Sequence, residues 1–191
     1  MALFQAVKAS LDASDWNYSI AREGSLIKAG AKGENGSFAV VFDVKEERQI
    51  MVIYIISNIN FPEHVRPRLA IYLTHCNYGM TLGNFEMDMD DGEVRYKCSV
   101  NTTGSILSEE MVDEMLKVSL VVMDRFFGPM IKVAYANYDP KAAYDEASVG
   151  IRSSGSSPSR SSNVHRGGES EEEKRSENVE SIENVLKQLV S

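Results

Sequence analysis

The chain has 191 residues, of which 43% are hydrophobic and 25% charged, and its net charge at pH 7 is -8. That balance predicts one globular domain with an appendage. An acidic chain repels phosphate backbones and anionic bilayers, so nucleic acid and membrane are excluded as partner classes, and no segment approaches the ~20 apolar residues of a membrane helix.

The first residues, MALFQAVKAS, lack a basic region followed by a long apolar run. No secretory signal is read there, and a cytoplasmic location is expected. Leu3, Phe4, Val7 and Leu11 share one face at helical spacing, which predicts a helix over 2–13. Trp16, Tyr18 and Ile20 alternate with polar residues and suggest a first strand. Leu26 to Lys32 suggests a second, weakened by Gly30. Phe38 to Val44 is β-branched and aromatic and reads as a third. Residues 45–48 turn the chain, and the apolar run from Ile50 predicts a central strand, with cover on both faces as one option. Val65, Leu69, Tyr72, Leu73 and Cys76 then form a helical stripe. Pro67 suits its first turn, and Gly79 is read as a left-handed terminator.

Residues 83–100, GNFEMDMDDGEVRYKCSV, read as a β-hairpin. Asp91-Gly92 fits a type I′ turn, which needs positive φ at both central residues. That turn sets Asp90 opposite Glu93. Met89 then faces Val94, Met87 faces Tyr96 and Phe85 faces Cys98 on an apolar side. Asp88 faces Arg95 and Glu86 faces Lys97 on a charged side. A slip of one residue would invert both patterns. Ser108 caps a long helix opening with Glu109 and Glu110. Met111, Met115, Val118, Val122 and Phe126 form its apolar line, flanked by Val112, Leu116 and Met123, and Gly128-Pro129 is read as its stop. The order predicts an α+β domain: an antiparallel sheet with helices packed on one side, in α-β-β-β-α-β-β-α order or close to it.

The phrase from Gly83 to Tyr96, with the preceding Asn77 to Leu82 and the helix ending Met123-Asp-Arg-Phe-Phe127, resembles the YbjN family of bacterial sensory-transduction regulators. The resemblance covers residues 10–135. It implies a fold like that of type III secretion chaperones, and a small regulator or protein-binding domain without known catalysis. It carries over no catalytic residue, because the matching motif describes a hairpin. It does not extend to the C-terminal part of the chain.

The domain is expected over residues 1–147. A Ser-rich and charged linker, expected to be disordered, follows over 148–176. Residues 177–191 return to helical spacing. Val179, Ile182, Val185, Leu186 and Leu189 fall on one side, with Glu180, Glu183 and Lys187 on the other. A helix this short needs a surface to fold against, so these five residues are the candidate partner-binding set, in trans or folded back in cis.

Other chemistries find little footing. The acids Glu86, Asp88, Asp90, Asp91 and Glu93 fail the calcium-loop template. His64, His75, Cys76 and Cys98 lack zinc spacing, and the two cysteines are read as free buried thiols. Neither a nucleophile elbow nor a P-loop is present. No catalytic, metal or cofactor site is assigned. The expected function is a non-catalytic interaction or regulatory protein. It would bind a protein partner through a sheet face or interhelical surface together with the tethered helix. The alternatives are a chaperone-like protein holding an unfolded segment of a client and, remotely, an unrecognised enzyme. A homodimer is a further arrangement to be considered.

Overall fold

The computed structural model describes residues 2–152. A helix, α1 (Ala2–Ala13), is followed by strands β1 (Tyr18–Arg22), β2 (Leu26–Lys32), β3 (Ser37–Lys45) and β4 (Ile50–Asn60). Then come α2 (Arg66–Tyr78), β5 (Asn84–Met87), β6 (Glu93–Asn101), α3 (Glu109–Tyr135) and α4 (Pro140–Arg152). The strands form one antiparallel sheet in the order β1-β2-β3-β4-β6-β5. Gly30 sits inside β2 without breaking it, paired with Ala39.

Period-two patterning decides which face is covered. Ile27, Phe42, Ile53 and Cys98 lie in one cross-strand row, and Val40, Ile55, Tyr96 and Phe85 in the next. All eight are buried. They meet Leu3, Phe4, Val7 and Leu11 of α1, Leu69, Tyr72, Leu73 and Cys76 of α2, and the inner face of α3 in one core. The helices therefore occupy one side of the sheet. The other side of β4 carries buried Val52 beside half-buried Tyr54 and Ile56, and among the described residues no helix packs on that side.

Local chemistry sets the helix ends. Ser108 Oγ accepts the Met111 N–H at 3.2 Å, and Glu109 and Glu110 occupy the positive end of the α3 dipole. Pro67 lies in the first turn of α2. Gly79 has φ -105° and is not left-handed, contrary to the terminator expected there. Gly128-Pro129 does not stop α3 either. Proline inside a helix costs about 3 kcal/mol, but Phe126, Phe127, Met130 and Val133 are buried on both sides of it, and that burial carries the helix through. Gly128 instead admits the β2–β3 turn, since a Cβ there would stand 2.9 Å from Asn35 Oδ1.

Helix α4 was not expected, although Asp139-Pro140 announces it. Asp139 Oδ1 accepts the Ala142 N–H at 2.9 Å, and Pro140 takes the first helical position. Asn137, with φ 52°, reverses the chain between α3 and α4.

The hairpin register also differs from the expected one. Phe85 pairs with Tyr96, Glu86 with Arg95 and Met87 with Val94, a displacement of two residues. The faces are unchanged, because two is a full side-chain period. The turn is a wider loop instead of a two-residue I′ turn. Only Gly92 has positive φ, at 81°. Asp88 Oδ1 accepts from the Asp90 N–H at 2.8 Å, and Asp91 Oδ1 from the Glu93 N–H at 2.7 Å. Gly92 is required twice over, since a Cβ would also lie 2.0 Å from the Phe61 carbonyl oxygen.

Candidate interaction surface

Three regions outside the core could meet another molecule. The first is the open face of the sheet. Val41, Tyr54 and Lys97 form one row across it, and Ala39, Ile56, Arg95 and Glu86 the next. Among the described residues no helix lies over this face. The Arg95 guanidinium stands 4.5 Å from the Tyr54 ring centroid and bonds Glu86 at 2.9 Å, while Lys97 also bonds Glu86. Burial alone would raise the Glu86 carboxyl. Hydrogen bonds and positive charge from Lys97 and Arg95 outweigh it and hold the group below the usual carboxylate range.

The second region is the pair of sheet edges, which differ. At β5, Asn77 acts as a substitute strand. Its Oδ1 accepts the Phe85 N–H at 2.8 Å and its Nδ2 donates to the Phe85 carbonyl at 3.0 Å. The opposite edge, β1, is largely exposed, with Ile20 38% accessible.

The third region is the outer side of α2 with the hairpin loop at its N-terminal end. Pro67, Ile71, Thr74 and Tyr78 recur at helical spacing and are all exposed, Ile71 at 54% and Tyr78 at 94%. Met89, 51% exposed, stands between two shallow clefts. One, of about 560 Å³, is lined by Glu63, His64, Arg66, Pro67 and Met89. The other, of about 450 Å³, is lined by Glu86, Met87, Asp88, Met89, Glu93 and Arg95. Arg66 fixes this corner by donating to the carbonyls of Phe61 at 2.9 Å, Met89 at 2.9 Å and Asp90 at 3.0 Å.

The thiols are not poised for chemistry. Burial pushes Cys76 up to about 12 and raises Cys98, so both stay protonated at neutral pH, and neither is in a disulfide. Among the described residues, no cluster of His, Cys, Asp and Glu could hold a metal ion, and no helix is long and apolar enough to cross a membrane. The acids of the hairpin serve the loop and the outer face instead. Asp88 and Asp91 cap backbone N–H groups and Glu86 bridges two cations.

Of the α3 methionines, Met111 and Met115 of the expected line are 41% exposed and half-buried, and Met123 of its flank is buried. Val118, Val122 and Phe126 of the expected line are buried, together with its flank Val112, Leu116 and Met123 and with Ser119, so the core side of α3 is wider than that line and turned away from Met111. The five tail residues Val179, Ile182, Val185, Leu186 and Leu189 lie outside the described residues. The α2 stripe was missed at the sequence level, although Pro67, Ile71 and Tyr78 stood at i, i+4 and i+11. The buried stripe on the same helix was stronger and absorbed the reading.

The described residues form a one-sided α+β domain, an antiparallel six-stranded sheet with its helices on one face. The chain belongs to the YbjN family, described as "Putative bacterial sensory transduction regulator", whose pattern matches residues 4–132. It is also similar in fold to the crystal structure of YbjN, titled a putative transcription regulator from E. coli. The TM-score is 0.51 and the identity 12%, over 70% of this chain and 92% of that one. No curated protein matches the chain.

Proposed function

We propose that this protein is a non-catalytic regulator that acts by binding a protein partner, through the open face of its sheet together with the tethered segment 177–191. The observation that carries this reading is that face: Val41, Tyr54 and Ile56 line it without a helix over them, and charged groups frame them at Lys28, Glu86, Arg95 and Lys97. An apolar centre with a polar rim is the anatomy of a protein interface. The tethered segment adds a second contact, which raises avidity through effective concentration. Family membership as a regulator is consistent with this role.

The test compares captures from native lysate by the full chain, by Ile56→Lys with Val41→Lys, and by a chain ending at Arg152. A specific protein held by the full chain and lost with the sheet-face pair supports the reading. Equal capture by all three forms refutes it.

A second reading, a chaperone-like holder of an extended client segment, is favoured by the exposed β1 edge. There a peptide could add as a seventh strand. It predicts that an extended client peptide protects the amides of residues 18–22 from exchange, whereas a folded partner on the sheet face leaves them unchanged.

A further inference from the structure

The exposed stripe on α2 asks for a cover, and the geometry points to one occupant: the chain's own segment Val179–Leu189, folded back in cis onto Pro67, Ile71 and Tyr78. This concerns the protein without its partner and does not depend on the sheet face being the partner site.

Where the described chain ends supports this first. The Asn137 and Tyr138 carbonyls, just before α4, accept bonds from Arg68 near the start of α2. Six residues beyond Tyr138, the Tyr144 ring stacks on His75, seven residues along α2, with centroids 6.1 Å apart. The two helices therefore run parallel. The chain leaves α4 past Tyr78, beside the end of the stripe. From Tyr144 to Arg152 is eight residues, or about 12 Å of helix. The open face of the sheet lies on the far side of the molecule from this exit, with α2 and α3 between.

Length is the second support. The stripe from Pro67 to Tyr78 covers about 16 Å, and a helix over 179–189 about 15 Å, at ~1.5 Å per residue. A linker of 26 residues, the number from 153 to 178, has a typical end-to-end distance of about 25–31 Å. That is ample to return to α2.

The third support is charge. Helix α2 alone among the four α-helices contains no Asp or Glu. Its Arg66 and Arg68 donate to neutral oxygens, the carbonyls of Phe61, Met89, Asp90, Asn137 and Tyr138 and the Asn137 side chain. Neither guanidinium lies in an ion pair among the described residues. The tail offers Glu177, Glu180 and Glu183 against Lys187, with apolar residues at helical spacing between them, a pattern that suits a helix carrying two arginines and an apolar stripe. The five tail side chains would then be masked on α2 until a partner displaces them.

Cross-linking of the full chain tests this. Tyr78, nearly fully exposed, is replaced by p-benzoylphenylalanine, and the purified protein is irradiated at low concentration without partner. The expected product joins residue 78 to the tryptic fragment 176–187 within the monomer band. Ile182→Asp with Leu186→Asp should lower its yield at least tenfold, and Glu180→Lys with Glu183→Lys severalfold. A link found only in a dimer band would reassign the occupant to a second copy. No link to 176–187, or one insensitive to Ile182→Asp with Leu186→Asp, would overturn the proposal. None of these outcomes alters the capture result for the sheet-face pair, so the two readings fail separately.

Discussion

The two faces of the sheet are built from neighbouring residues of the same strands, yet their surroundings differ. On the inner face, Val40, Phe42, Ile53, Ile55 and Tyr96 are fully buried against three helices. On the outer face, one residue along each strand, Val41, Tyr54, Ile56 and Arg95 keep partial contact with solvent. The inner face fixes the fold. The outer face is composed like an interface, with apolar residues at its centre and ion pairs at its rim. A β-sheet can carry both assignments because its side chains alternate, so a change on one face barely touches the other.

The comparison is most severely tested from the inside. Phe42→Ala should destabilise the domain by about 3–5 kcal/mol, as truncation of a buried aromatic does. Ile56→Lys on the outer face should shift stability far less, by about 1 kcal/mol or below. Urea denaturation measures both. Equal losses would mean that the outer face is also a core surface and is covered by something.

Next in size is the β5 edge. Asn77→Ala removes two hydrogen bonds and leaves the Phe85 N–H unpaired, while the Phe85 carbonyl keeps only the longer bond from Asn84 Nδ2 at 3.3 Å, at a cost of about 1–3 kcal/mol. Native-state exchange at the Phe85 amide should accelerate accordingly. No change there would show that water or another group serves the edge equally well.

Smallest is the outer-face ion cluster. The folded Glu86 carboxyl is held below its ordinary value of 4.5, so its contribution is fully present above about pH 4.5. That contribution is lost as pH falls through the lower folded value, since protonation then favours the unfolded chain. Glu86→Gln should flatten stability below pH 4.5 and lower it slightly at pH 7, by well under 1 kcal/mol given the partial exposure. A steeper acid dependence in Glu86→Gln than in the wild type would reverse the assignment.

Much of this architecture was legible in the sequence, and the exceptions share a cause. The stripe on α1, the alternation of β3, Pro67 at a helix start and the Ser108 cap all rest on local chemistry, and each stands as read. The hairpin register was displaced by two because a two-residue slip preserves both faces. Phe85 and Met87 point inward and Glu86 outward under either pairing. The deciding groups were outside the pattern: the Asp88 and Asp91 side-chain caps, and the contact of Gly92 with Phe61, far away in sequence. Pro129 misled for a similar reason. Its local cost was real, but the burial of Phe127 and Met130 by other elements overrode it. The candidate surface was less legible still. An exposed stripe is defined by what fails to pack on it, and that becomes visible only when every neighbour has been placed.

Arg66 has a further consequence for how the molecule breathes. One guanidinium joins three carbonyls from the end of β4 and the tip of the β5–β6 hairpin, while its backbone begins α2. Segments otherwise separate along the chain are thereby made one opening unit. The Phe61 and Glu93 amides should therefore exchange with a common protection free energy in the native protein. Arg66→Lys, which keeps the charge but cannot span three acceptors, should split that unit into two that open independently.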